Sequence, residues 1–224
     1  MSAEAASWPQ SRLSWFSEAV ANLGLAVPIA IGFLAQMAMV FVDNIMVGRL
    51  GAASLAAGGL GANLLFTPIL LGMGVLGGIG AVAAQAYGAN DHAKVSTTGR
   101  QGLRLALALT LPCVGVLIGI VLLLPWLGYD PSTVLMAQGL LLWGLPGVPA
   151  ALAFMALRYF VIALSRPRVV TVVTILSIGA TALFNYLFVY GGFGAPRMGV
   201  AGVGLSGSIE IGRASCRERV YVLV

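Results

Sequence analysis

Long stretches without one charged side chain constrain this chain more than any other feature. Ala19–Val42, Leu50–Asn90, Leu105–Tyr129, Pro131–Leu157 and Val169–Pro196 contain no Asp, Glu, Lys or Arg. About 20 apolar residues suffice to cross the hydrocarbon core of a bilayer as a helix. Charged residues make up 8% of the chain and apolar residues 59%, whereas a soluble domain is about 25% charged. An ordinary soluble globule is excluded, and so is a disordered chain. The runs are continuous rather than alternating, so helices are expected and an outer-membrane barrel is not.

One run is ambiguous. Leu50–Asn90 is long enough for one helix with polar ends or for a hairpin of two short ones. Charge bias does not separate these. With one span, Arg12, Lys94, Arg100, Arg104, Arg158, Arg166 and Arg168 share a side against Arg49 and Arg197. With two, Arg12 and Arg49 exchange places and the bias is unchanged. A hairpin needs a polar turn, and Phe66–Val75 is almost wholly apolar. One long span over 54–82, bent at Pro68, is therefore expected.

The predicted fold is an all-α integral membrane bundle: five complete spans (20–47, 54–82, 102–125, 133–158 and 168–190) and the start of a sixth near Gly199. Loops at 87–101 and 160–168 face the cytoplasm in this reading. Loops at 48–53, 126–132 and 191–198 face outside. Residues 91–104 read as an amphipathic lead-in to the third span. Residues 1–19 form a cytoplasmic tail without the apolar segment of a signal peptide. Residues 211–220, IGRASCRERV, resemble the translation of a common sequencing-library adapter. The native bundle is accordingly expected over 20–209, with 210–224 a non-native tail.

Composition also narrows function. The net charge of +5 does not point to nucleic acid, because the basic residues lie in loops as topology signals. Cys113 and Cys216 imply no disulfide framework. His92 stands alone in a loop, so no metal or hydrolytic site is expected. Gly72, Gly74 and Gly77 match a dinucleotide-binding spacing, but that motif needs a strand-to-helix turn. Inside a membrane run, Gly74 and Gly78 read instead as a small-residue face for close helix packing.

Asp43 is the one carboxylate expected inside a span; Glu4, Glu18, Asp91, Asp130, Glu210 and Glu218 fall in termini or loops. Ile45, Met46 and Val47 continue the apolar pattern beyond it. An ionisable group placed so deep commonly marks an ion or proton pathway. Gln36 lies two helical turns earlier on the same face. Asn63, Gln85 and Asn185 add amides on other spans, and together they suggest a polar-lined interior. Pro28 removes one helical hydrogen bond at mid-span and permits a bend.

These segments together resemble the N-terminal half of the multidrug and toxic-compound extrusion (MATE) transporters. The likeness is carried by VPIAIGFLAQMAMVFVDNIMVGRLG (27–51), VAAQAYGAND (82–91), RQGLRLAL (100–107), ALRYFVIALSRPRVV (156–170) and NYLFVYGGFGAPRMGVAGVGLS (185–206), in order. The resemblance implies half of a twelve-helix, two-lobe transporter of the bacterial inner membrane. Such a protein exports organic cations or drugs in exchange for H⁺ or Na⁺, with neither enzymatic activity nor a bound cofactor. Asp43 is then the coupling residue for a proton, or for a Na⁺ ion beside it. Asn185 matches a neighbouring polar position that is acidic in some members. Thr181 stands where relatives often carry Asn. Gln36, Asn63 and Thr181 would line the cavity, and Pro28 matches the family's bending proline. A single carboxylate among amides suits proton exchange at least as well as Na⁺ binding. The partners implied are small-molecule drugs, the lipid bilayer and the C-terminal lobe of the same chain. The alternative reading is a lipid-linked precursor or polysaccharide flippase of the broader superfamily, which is expected to carry several cavity arginines. An intramembrane enzyme and a non-transporting bundle are weaker readings still.

Overall fold

The computed structural model describes residues 12–164, 167–192 and 196–223. Of the tail expected at 1–19, residues 1–11 lie outside them, as do Arg166, loop residues 193–195 and the side chain of Cys216, while 12–19 are already helical. Every long element is a helix: α1 (Arg12–Gly48), α2 (Ala52–Gly88), α3 (His92–Leu123), α4 (Pro131–Gly144), α5 (Gly147–Ala163), α6 (Pro167–Tyr190) and α7 (Val200–Leu223). A 3₁₀ turn over Leu124–Leu127 follows α3.

Among the described residues, three helices (Ser17–Gly48, Ala52–Gly88 and His92–Leu127) are long and apolar enough to cross a membrane. The pair α4 and α5 makes a fourth if it is one bent span. The ambiguous run is thus a single helix, α2, of 37 residues. It continues unbroken through Pro68, which is buried inside it. Helix α3 begins at His92, where the Asp91 side chain accepts the Lys94 backbone N–H at 2.9 Å. The amphipathic lead-in is therefore the first turns of that helix.

The expected single span over 133–158 is not straight. Helices α4 and α5 meet at 57° around Leu145 and Pro146. Proline has no N–H to bond the carbonyl four residues back, and its ring crowds that carbonyl. Past the break, the start of α5 lies against α7, with Gly147 beside Ser208, and Arg158 further along reaches Gln36 of α1.

The core lies where α2, α3, α4 and α5 meet, with Leu76, Leu117, Leu141 and Leu152 at 0% exposure. Large apolar side chains also cover the outside: Leu71 is 70% exposed, Leu111 79% and Trp126 88%. Such an apolar exterior suits lipid as solvent, not water. Helix α1 packs chiefly along α6, and α7 fits between α4, α5 and α6.

Close approach is set by glycines other than those expected. A Cβ at Gly74 or Gly78 would meet nothing within 4 Å, so these two do not form a packing face. Tight positions include Gly72, where a Cβ would lie 2.7 Å from Leu152, Gly202, where it would lie 2.6 Å from the Phe188 carbonyl oxygen, and Gly204, where it would lie 2.3 Å from the Leu140 carbonyl oxygen. A residue step turns an α-helix by about 100°, so Gly72 faces the bundle while Gly74 looks away from it.

Candidate functional site

Helices α1 and α6 run side by side, and three hydrogen bonds mark their common register. The Thr171 hydroxyl donates to the Pro28 carbonyl at 2.7 Å. Further along, the Asn185 amide donates to Asp43. Beyond that, the Tyr190 hydroxyl donates to the Met46 carbonyl at 2.7 Å. Helix α1 is continuous through Pro28. The ring leaves the carbonyl of Gly24 without its usual helical donor.

Asp43 is half-buried at the centre of this register. Asn185, at 0% exposure, uses both ends of its side chain. Its Nδ2 donates to Asp43 Oδ1, and its Oδ1 accepts from Ser206 Oγ on α7. Ser206 Oγ also lies 3.0 Å from the Val203 carbonyl. A hydroxyl has one proton to give, so Ser206 serves one of these acceptors at a time. Three helices thus converge on one carboxylate through an amide and a hydroxyl.

Two cavities border that carboxylate. The first, of about 210 Å³, is lined by Gln36, Asp43, Phe154, Arg158, Thr181 and Ser206 among others. The second, of about 220 Å³, lies toward α2 and α4, against Leu65, Phe66, Leu140 and Val148. Asp43 and Val203 belong to both walls. The carboxylate therefore stands at the partition between two spaces.

The other expected site residues divide. Gln36 and Thr181 line the first cavity. Asn63 does not: it is exposed on α2 and donates back to the Gly59 carbonyl at 2.8 Å. Its neighbours Ala62 and Phe66 border the second cavity instead, because one residue step rotates the side chain off that face.

Two charged residues lie deeper than their sequence context suggests. Arg158 reads as a topology charge at a span end, yet it is buried within α5 at 6% exposure. Its Nη1 donates to Gln36 Oε1 at 3.0 Å, and its guanidinium lies 4.8 Å from the Phe33 ring centroid. Span-end position and loop membership look alike in a sequence when a helix runs on for another turn. Glu210, expected in a terminus or loop, lies within α7. It is 4% exposed; Thr181 Oγ1 donates to its Oε2, and its Oε1 has no partner among the described residues. Among the described residues, no group of three or more His, Cys, Asp or Glu side chains is arranged to hold a metal ion.

The MatE family profile matches residues 28–187, the stretch from the α1 proline to just past Asn185. The chain belongs to the MatE family. Relatives called probable multidrug resistance protein NorM include one from Synechococcus, 36% identical over 84% of this chain and 41% of its own length. Another, from Pseudomonas aeruginosa, is 38% identical over 84% of this chain and 38% of its own. The multidrug resistance protein NorM of Vibrio cholerae is 33% identical over 86% and 42%. This MatE chain thus spans about two-fifths of the curated relatives it matches. An outward-facing multidrug resistance MATE transporter of the MOP superfamily superposes with a TM-score of 0.82 at 23% identity, over 91% of this chain and 45% of that one. A second MOP superfamily transporter, from Pyrococcus furiosus, gives the same TM-score at 23% identity, over 91% and 44%. The MatE chain is therefore a multi-pass membrane protein with the fold of an N-terminal transporter half.

Proposed function

We propose that this chain is the N-terminal lobe of a cation-coupled multidrug antiporter of the bacterial inner membrane. In this reading it supplies half of a twelve-helix transporter, with five full spans and the start of a sixth in the first turns of α7. The observation that carries it is Asp43 at the partition between two cavities, held by Asn185 and Ser206. A carboxylate drawn out of water binds either a proton or a cation more strongly than one in bulk solvent. An organic cation and the coupling ion would therefore compete for Asp43. Mutual exclusion of this kind gives exchange when the two occupied states open to opposite sides. The amide beside Asp43 offers N–H rather than a second carboxylate, which suits a proton better than a Na⁺ ion.

The test is Asp43→Asn in the full-length transporter. Loss of ion-driven drug export in everted membrane vesicles, with the protein still present at normal level, is expected. Undiminished export would overturn the assignment. The flippase reading draws on one observation, that Arg158 lines the same cavity. A lone arginine beside a carboxylate favours it less than a cluster would. Residues 210–224 are proposed to be foreign to the native protein. A buried Glu210 oxygen without a partner is what a residue unselected for this fold would leave.

A further inference from the structure

Helix α3 carries an outward stripe that changes character along its length. Arg100, Arg104, Leu107, Leu111, Ile118 and Leu122 follow one another at steps of three, four or seven residues, so they share one face. All six are exposed. Gly115 lies on the same face, with nothing within 4 Å of a Cβ there. The opposite face is buried through Gly102, Ala106, Cys113 and Leu117, and it packs chiefly on α2 and α5. The stripe is thus cationic at one end and wholly apolar beyond it.

Its depth follows from the far end of the same span. Trp126, in the 3₁₀ turn, is 88% exposed, and an exposed Trp favours the membrane–water boundary. The rise from Arg104 to Trp126 is about 33 Å at 1.5 Å per residue, close to the roughly 30 Å of a hydrocarbon core. With Trp126 at one boundary, Arg104 falls at the other. Arg100, one turn and about 6 Å further out, then lies within a headgroup layer about 5–7 Å thick. Nothing nearby balances these two charges. The sequence holds no Asp or Glu between Asp91 and Asp130, and none on α2 or α5. Asp91 accepts the Lys94 backbone N–H at the start of α3. Arg100 Nη2 donates to Ser96 Oγ at 3.2 Å, and that hydroxyl is neutral. A topology signal needs only positive charge beyond a span; it does not need the charges in line with lipid-facing leucines.

We propose that Arg100 and Arg104 form a binding site for an anionic phospholipid. The headgroup phosphate sits between the two guanidiniums, which bind phosphate oxygens through charge-assisted and often bidentate hydrogen bonds. The acyl chains run down the stripe over Leu107 and Leu111. A zwitterionic lipid is disfavoured, because its ammonium group meets two cations and no carboxylate. The site goes beyond the efflux reading and does not depend on it.

The experiment uses the full-length transporter in phosphatidylcholine vesicles that contain a minor share of phosphatidylglycerol. Photoreactive phosphatidylglycerol and phosphatidylcholine, each with a diazirine near the top of an acyl chain, are compared by peptide mass spectrometry. Labelling is read at residues 104–111 and, as a control in the opposite leaflet, at 118–122. In the wild type the glycerol-to-choline lipid ratio at 104–111 is expected to exceed that at 118–122 by about fivefold or more, the worth of one cation near the surface. Arg100→Gln combined with Arg104→Gln is expected to bring the two ratios together. Lysine at both positions is expected to keep part of the difference, since the charge remains and the bidentate geometry is lost. Equal ratios at both ends of the wild-type helix would overturn the proposal. So would labelling of 118–122 without labelling of 104–111 by either lipid, because the face would then be covered by protein. If the double variant does not reach the membrane, the wild-type comparison still decides.

Discussion

Asn185 gives its amide N–H to Asp43 and takes the Ser206 hydroxyl on its carbonyl oxygen. One fully buried side chain thus links α6 to α1 and to α7, across sequence separations of 142 and 21 residues. No hydrophobic side chain of similar size can do both. Asn185→Leu would leave a carboxylate and a hydroxyl without that partner inside the bundle. Such loss costs about 1–3 kcal/mol per buried group. The expected result is a clearly lower midpoint of thermal unfolding in detergent together with weakened ion-driven export. Asn185→Asp is the sharper variant, because it exchanges a donor for a second carboxylate. It is expected to increase the Na⁺ dependence of export, and an unaltered response to Na⁺ would argue against Asp43 and residue 185 sharing an ion.

Glycines give a test of packing that is independent of transport. At Gly202 a Cβ would fall 2.6 Å from the Phe188 carbonyl oxygen, and backbone there cannot swing aside as a side chain would. Gly202→Ala is expected to destabilise by about 1–3 kcal/mol, the range for overpacked sites. At Gly74 nothing lies within 4 Å, so Gly74→Ala removes only the helical cost of glycine. That change is expected to be neutral or to stabilise by up to about 1 kcal/mol. Thermal unfolding of the two variants side by side would check the pair. A destabilised Gly74→Ala, with Gly202→Ala unaffected, would contradict both the open space at Gly74 and the close α6–α7 approach at Gly202.

Much of this architecture is legible in the sequence because lipid imposes so strict a rule on charge. The uncharged runs mark the helices, and α2 is one helix where an apolar middle left no room for a turn. Gln36 and Asp43 fall on one cavity because residues seven apart on a helix share a face, whereas Thr181, expected there only from the family resemblance, lines it from α6. What was not legible is rotation and depth. Asn63 differs from Ala62 by one step of helical rotation, and no pattern in so uniformly apolar a helix says which step faces inward. Arg158 sits at the edge of an uncharged run, and nothing in that run says whether the residue lies beyond the bundle or, as found, buried within it. The chain Ser206–Asn185–Asp43 joins residues that no local pattern connects.

The MatE chain spans about two-fifths of the relatives it matches. Its polar site opens on cavities of about 210 and 220 Å³, below the roughly 300–1,000 Å³ of typical ligand pockets. A second lobe would be needed to complete a substrate chamber. Residues 1–224 expressed alone are therefore expected to confer no drug resistance on a susceptible host. The check is growth at graded drug concentrations beside the full-length gene. Resistance from the short chain would show that this lobe transports alone or pairs with itself.

Thr171 and Pro28 offer the last test, at the far end of the α1–α6 register. Proline at 28 removes a helical hydrogen bond from α1 and makes this the weakest point of that helix's backbone. The Thr171 hydroxyl donates to the Pro28 carbonyl from the neighbouring helix at 2.7 Å. Gly32, one turn on, faces Thr171 without crowding it: a Cβ there would sit 3.7 Å from its hydroxyl oxygen, an ordinary contact. Thr171→Val keeps the shape of the side chain and removes the donor. The expected loss of stability is small, about 0.5–1.5 kcal/mol for one hydrogen bond. If α1 bends at Pro28 during transport, the larger effect falls on the balance between bent and straight forms. A pair of spin labels on α1 either side of Pro28 in the full-length transporter would read that balance. Thr171→Val is expected to shift the distance distribution toward a second, bent population. A single unaltered distance in both proteins would mean that α1 is a static helix through its proline.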